Sequence, residues 1–264
     1  MKVSVGVDRL NGARRVLDLA VDRGDLTFAS GLVGDRGGAL MVHAAGNRDA
    51  DKSLPAGQDS IFAIASMTKL VTTVAALQLV EVGQLDLDKP INHYLPELDS
   101  LAVLQGFRDD GEPVYELASR APTARELITH TSGFVYSIWN EDAFSLQSKG
   151  LASGVGSGRK ILNAPLAFQP GTDWEYGIST DWLGYLVEQL SGQRLMGYFS
   201  EHIFKPLDML DTTFEFEAEK MGRAVFMMAR VEGELVSSPA MQPTPESPGS
   251  ADFYGGGGGL YSTL

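Results

Sequence analysis

Apolar and polar positions along the chain fall into two alternating periods. Leu10, Val16, Leu17, Leu19 and Ala20 recur near the start with Arg and Asp between them, which predicts an amphipathic helix. Leu26–Gly46 then reads as two short strands, around LVG and ALMVHAAG, turned at Asp35-Arg36-Gly37-Gly38. Asn47–Gln58 is a polar loop broken by Pro55 and Gly57. Beyond it, Ile61-Phe62-Ala63-Ile64-Ala65 runs into Ser66-Met67-Thr68-Lys69 and then LVTTVAALQLVEVG. Apolar residues fill most of that segment, so it predicts a helix buried on nearly all sides, with Gly83 as its C-cap.

Asp86–Glu97 is loop-like, with Pro90 and Pro96 as breakers. The next predicted helix is Thr123–His130, where Thr123 and Glu126 stand at capping-box spacing and Gly133 is the expected stop. Ser145–Gly158, rich in Ser and Gly, is expected to be mobile or surface-exposed. Asp181–Leu190 is a further amphipathic helix, closed by Ser191-Gly192. Residues 241–259 are rich in Pro, Ser and Gly and end in five consecutive glycines. No internal repeat and no linker between independent domains is visible. The pattern predicts a mostly helical middle flanked by strand-bearing ends.

Composition narrows the function classes. The 264 residues are 44% hydrophobic, enough for one large domain or two interleaved smaller ones. A formal net charge of −13 opposes a nucleic-acid partner, because the chain repels the phosphate backbone. With no cysteine, disulfides, thiolate chemistry and Cys-based metal sites are excluded. The first residues lack the apolar core of a signal peptide, and no segment has the ~18 apolar residues of a membrane span. A soluble cytoplasmic protein is expected.

The candidate chemistry centres on Ser66 and Lys69. Three residues apart on a helix, their side chains share one face. Ser66 stands where the chain enters the helix, with unpaired N–H groups and the positive end of the macrodipole. A cation in that first turn is unfavourable, and burial disfavours it further. Both effects favour a neutral amine able to take the serine proton. The same helix end stabilises negative charge developing on a reacting carbonyl oxygen. Ser157 and Lys160 repeat the spacing, but in a Gly-rich stretch with no apolar helix after it. His43, His93 and His202 lack metal-ligand spacing. Gly154–Lys160 lacks the order of a phosphate-binding loop.

The neighbours of the pair resemble a family. FAIASMTKLVTTVAALQLVEVGQLDLDKPINHYLPEL, PTARELITHTSGF, FQPGTDWEYGISTDWLGYLVEQLSG and the late FKPLDMLDTTF and GGGGGLYST are similar in order and spacing to the β-lactamase-like serine hydrolases. That superfamily includes class C β-lactamases, penicillin-binding proteins and family VIII carboxylesterases. The resemblance implies an α+β, β-lactamase/transpeptidase-like fold: an antiparallel sheet flanked by helices, with an inserted, mainly helical domain. Residues 1–65 and 195–264 would form the α/β domain and 66–194 the helical domain carrying the catalytic residues. It implies that Tyr176 shares the proton work with Lys69, that His130 is structural, and that the glycine run is a tight passage near the site. Where lactamases of the family carry Asn two residues after that tyrosine, this chain has Ile178, which cannot bind a substrate amide. Together with Tyr176, Asp181, Leu183 and Gly184, this matches the esterase branch. Tyr136, Trp139 and Trp174 serve equally well as substrate-pocket lining, with Ile178, or as core packing.

The implied substrate is a small-molecule ester, cleaved through an acyl-enzyme on Ser66 without metal or organic cofactor. Relatives continue past the point matching Leu264, through strands that supply a pocket wall and a second oxyanion donor, the first being the backbone N–H of Ser66. The resemblance therefore implies an incomplete sheet, completed by a further C-terminal segment or by self-association, and little activity from these residues alone. Amide or β-lactam hydrolysis, acyl transfer, and a non-catalytic penicillin-binding-like sensor share the same acylation half.

Overall fold

The computed structural model describes residues 6–49, 51, 53–238, 242–245 and 249–264. The Pro/Ser-rich stretch from 241 thus lies partly outside the described residues. In chain order the elements are α1 (Val7–Asp22), β1 (Phe28–Asp35), β2 (Gly38–Gly46), β3 (Phe62–Ala63), α2 (Thr68–Glu81), β4 (Ala102–Phe107) and β5 (Pro113–Leu117). They continue with α3 (Ala124–Thr129), α4 (Glu141–Ser148), α5 (Ser179–Ser191), α6 (Leu195–Phe199), β6 (Met228–Val231), β7 (Glu234–Ser237) and β8 (Tyr261–Ser262). Helices and antiparallel ladders together make a mixed α+β fold.

Two compact units emerge. One comprises 1–63, 211–250 and 261–264, the other 64–210 and 251–260. The helical unit thus reaches past residue 194, the end that the resemblance implied. The reason is burial: Leu195, Tyr198, Phe199, Ile203 and Phe204, on α6 and the wide turn after it, pack toward α2 and α5. The unit also takes in the glycine run.

In the first unit α1 lies on the β1–β2 hairpin, which pairs antiparallel from Phe28↔Gly46 to Asp35↔Gly38 around the expected turn. Gly46, at φ 87°, ends β2 where a Cβ would meet Thr27 O and Phe28 Cα, so only glycine fits. β3 pairs with β8 through Phe62↔Ser262 and Ala63↔Tyr261. Ile61, Phe216 and Ala224 form a small core with Met221 and Tyr261 against it. The β6–β7 hairpin, turned at Glu232-Gly233 with both residues at positive φ, was not expected from the sequence. Among the described residues the antiparallel pairing is divided into four two-stranded ladders rather than one broad sheet.

In the second unit α5 is the central element: Ser179 through Val187 are all buried. It is thus more deeply enclosed than an amphipathic reading suggests. Helices α2 and α3 pack on it. Helix α2 departs from the expectation of burial on nearly all sides. Thr68, Thr72, Ala75, Ala76 and Leu79 are buried, but Met67, Leu70, Val74 and Leu77 form an exposed stripe, Leu70 at 72%. The packed face is built mainly from small residues, so the abundance of apolar side chains did not report which side was covered.

The α3 cap is as expected: Thr123 Oγ1 accepts from Glu126 N at 3.2 Å, and Glu126 Oε2 accepts from Thr123 N at 2.9 Å. The stop is not Gly133 but His130, itself left-handed at φ 59°. Gly133, at φ 93°, instead lets Phe168 O and Leu166 approach. Ser145–Ser148 belong to α4, capped by Asn140 accepting from Ala143 N at 2.9 Å, so the surface loop begins only after it. The β4–β5 hairpin, turned around Asp109-Asp110-Gly111, was also missed.

Candidate active site

The chain reaches Ser66 through a constrained entry. Ala65 is held left-handed at φ 45°, a conformation costing an L-residue ~1–2 kcal/mol. Leu260 clamps the entry from both ends: its O accepts from Ile64 N at 2.9 Å, and its N donates to Thr68 Oγ1 at 3.2 Å. Thr68 Oγ1 in turn donates to Ala65 O at 2.7 Å. Ser66 is thereby exposed in the short 3-10 turn Ala65–Met67, two residues before α2 begins at Thr68.

Lys69 Nζ lies 3.3 Å from Ser66 Oγ, 3.2 Å from Tyr136 Oη and 2.7 Å from Gly257 O. An ammonium can donate to all three. A neutral amine can donate to the carbonyl and one hydroxyl while accepting from the other. The same contacts therefore serve the lysine before and after it takes a proton. Tyr176 presents its ring face to Nζ, 4.6 Å from the centroid, a cation–π arrangement. The residue expected to share the proton work thus contacts Lys69 through its ring. The hydroxyl bonded to Lys69 belongs to Tyr136, which the sequence offered only as pocket lining.

These two tyrosines are placed by α5 and the end of α3. Ser132 and Ser179 hydroxyls meet at 2.8 Å, and Phe134 stacks on Trp182, tying the segment before Tyr136 to α5. Gly177 passes so close to Phe134 O and Val135 Cα that no side chain fits. His130 Nδ1 accepts from Gly177 N at 3.3 Å, and its ring packs on Tyr176 at 4.6 Å. Burial, and then the charge of Lys69, lower its pKa to about 4, so the imidazole is neutral near neutral pH. His130 orients the Tyr176 segment.

Tyr136 is buried, and its pKa is raised above the ordinary phenol value by desolvation first, then by Asp181 and Tyr176. It is a hydroxyl, not a phenolate. Asp181, 5% exposed, accepts from Gly257 N at 3.0 Å. Desolvation lifts its pKa to about 6, opposed by that amide and by Lys69. Sequence reasoning had Asp181 only as a motif letter. The available signal was a carboxylate inside the otherwise uncharged run Ser179–Val187.

The glycine run is a close passage. Gly256 O accepts from Thr72 Oγ1 at 2.7 Å. A Cβ on Gly256 would lie 3.0 Å from both Gly184 Cα and Thr72 Cγ2, and nearer still to Thr180 O. One on Gly257 would press into the Asp181 carboxylate.

The remaining candidates separate. Trp139 packs on Tyr136 and Tyr176 at 5.7 and 5.5 Å, with its outer face exposed. Trp174 is also exposed, beside Glu175, which accepts from Asn140 at 3.0 Å. Ile178 is buried and lines an apolar recess with Leu104, Val135, Tyr136, Leu146 and Ile161. Tyr136 is shared between this recess and the Lys69 contacts. Lys160 of the second Ser-x-x-Lys match is exposed, on a 3-10 turn rather than an apolar helix. Among the described residues, no cluster of three His, Cys, Asp or Glu could hold a metal, and no helix is long and apolar enough to cross a membrane.

Residues 15–264 match the family described as Beta-lactamase. The chain belongs to the Beta-lactamase family. It is 35% identical over 260 residues to Protein Rv1367c of Mycobacterium tuberculosis, spanning 96% of this chain and 63% of that protein. It is also 35% identical over 201 residues to the Lovastatin esterase of Penicillium rubens, covering 74% of this chain and 50% of that one. Among solved structures, the LovD6 mutant of Simvastatin Synthase from Aspergillus terreus superposes with a TM-score of 0.84 at 28% identity, covering all of this chain and 66% of that one. The chain therefore spans between half and two thirds of these relatives. This Beta-lactamase-family fold is shared with enzymes named as an esterase and a synthase, and with a penicillin-binding protein homologue from Pyrococcus abyssi, TM-score 0.66 at 25% identity.

Proposed function

We propose that this chain carries the acylation centre of an ester-acting serine hydrolase. The observation that carries the reading is Lys69 Nζ standing within hydrogen-bond reach of both Ser66 Oγ and Tyr136 Oη. Ser66 Oγ attacks the ester carbonyl carbon while its proton passes to Lys69. The tetrahedral oxyanion collapses, the C–O bond to the alcohol breaks, and the alcohol leaves with a proton returned from Lys69. Water then adds to the acyl-enzyme by the reverse route and releases the acid. Tyr136, held as a neutral phenol, steadies Lys69. Tyr176, half-buried with its ring against the same amine, assists the passage of that proton from Lys69 to the leaving group. The small-molecule ester is bound against the exposed faces of Trp139 and Trp174. Ile178, buried in the recess wall, offers no amide-binding group, which favours esters over lactams.

A second reading is acyl transfer to an alcohol instead of water. It is supported by 39% identity over 173 residues to Acyltransferase mokF of Monascus pilosus, 64% of this chain and 42% of that protein. Both readings share the acylation half. The deciding test is intact mass after a serine-directed fluorophosphonate, with p-nitrophenyl ester turnover measured with and without an added alcohol. One adduct per chain, lost in Ser66→Ala and slowed ~10²–10⁴-fold in Lys69→Met, is expected. Labelling that persists in Ser66→Ala would overturn the reading. A new ester formed from the added alcohol would select transfer over hydrolysis.

A further inference from the structure

Asp181 lies outside the steps above, yet it is the buried carboxylate nearest the base along the bonded path. Its Oδ1 accepts from Gly257 N at 3.0 Å, and the carbonyl of the same glycine accepts from Lys69 Nζ at 2.7 Å. One residue thus joins carboxylate and amine. The join requires glycine, because a Cβ on Gly257 would enter the carboxylate, and one on Gly255 would stand 3.0 Å from Asp181 Oδ1. The surrounding α5 residues are buried and uncharged, so no other charge on that helix turn competes for Lys69.

We infer that Asp181 is a positioning residue for the proposed acylation, the fixed counter-charge that seats Lys69 through Gly257 and stabilises the ammonium formed when Ser66 is deprotonated. The titratable groups facing this pair from the packed segments are Tyr136, Tyr176 and His130; burial keeps Tyr136 a neutral phenol and His130 a neutral imidazole. Asp181 is therefore the charge that biases Lys69. A negative charge joined to Lys69 through Gly257 stabilises the ammonium relative to the free amine. It also makes the proton transfer from Ser66 more favourable once the amine is free.

The inference rests on the acylation reading and is tested separately from it. The rate of fluorophosphonate labelling at Ser66 is measured by intact mass from pH 5 to 10 for the wild-type chain, Asp181→Asn and Asp181→Glu, each with a thermal melt. Asp181→Asn is expected to move the rise in rate about one unit to lower pH and to lower its plateau about tenfold. Asp181→Glu is expected to restore the wild-type position of the rise. A merely structural role would lower the rate without moving the profile, and that result overturns the inference. Should Asp181→Asn fail to fold, the reciprocal measurement decides. By linkage, Lys69→Met must move the NMR titration of the Asp181 carboxyl carbon to higher pH. An unmoved titration overturns the inference. A wild-type chain unlabelled at Ser66 would sink the acylation reading alone, because the NMR coupling needs no reaction.

Discussion

Gly256→Ala tests how tightly the glycine run is threaded. The added methyl would face the Thr180 carbonyl in the first turns of α5, Gly184 Cα at 3.0 Å and Thr72 Cγ2 at 3.0 Å. Two of these are backbone atoms of a helix buried from Ser179 to Val187, so neither can turn aside. The run must shift instead, which strains the packing by ~1–3 kcal/mol and breaks the 2.7 Å bond from Thr72 to Gly256 O, worth ~1 kcal/mol. A loss of about 3 kcal/mol lowers the melting temperature by ~6–12 °C in a chain of this size. Gly258→Ala is the matched control: nothing lies within 4 Å of its Cβ position, so a change within ~0.5 kcal/mol is expected. Both are read by urea denaturation and thermal melts, with fluorophosphonate labelling alongside. Should Gly256→Ala melt within about 2 °C of wild type, or the two variants lose equally, the close-passage account is refuted.

Thr123→Ala removes half of the capping box on α3 and should cost about 1 kcal/mol, seen as a lower urea midpoint with unchanged slope. His130 sits at about 4 in the folded chain against 6.5 when free, so the unfolded chain takes its proton first. Its contribution to stability is full above pH 6.5 and lost as pH falls through about 4; His130→Asn should lose less stability than wild type between pH 7 and 4.5. Asp181, raised from 3.8 to about 6, acts in the opposite sense, stabilising below 3.8 and losing that contribution as pH rises through about 6. Asp181→Asn should therefore gain stability relative to wild type between pH 4 and 7. Trp139→Ala strips an exposed ring from beside Tyr136 and Tyr176 and should raise KM for bulky apolar esters more than it lowers kcat, measured on p-nitrophenyl esters.

What the sequence disclosed about this site follows the range over which each interaction acts. Ser66 and Lys69 are three residues apart, so helix geometry alone brought them together, and the structure adds only the 3.3 Å between them. The α3 cap was legible for the same reason, since both halves of the box lie within one turn. The expectation of a neutral lysine was argued from helix end and burial, both local. The buried Asp181 comes from 112 residues further on (181 minus 69); the uncharged run around it hints at burial, but nothing local says that it faces Lys69. Tyr136 shows the same limit: its hydroxyl reaches Lys69 because Ser132, Phe134 and Gly177 fix its loop against α5. From sequence it was one aromatic among several. The β4–β5 hairpin was hidden because its strands are short and Pro113 opens the second, which weakens the alternation on which a strand reading depends. Glycines were the most informative residues and the least readable. Five in a row look like slack, but Gly256 and Gly257 lie where any side chain would collide, whereas Gly258 lies in open space. Composition cannot distinguish a glycine chosen for looseness from one chosen for closeness. Only the atoms facing it can, and here they are the helix that carries the base and the helix that carries its counter-charge.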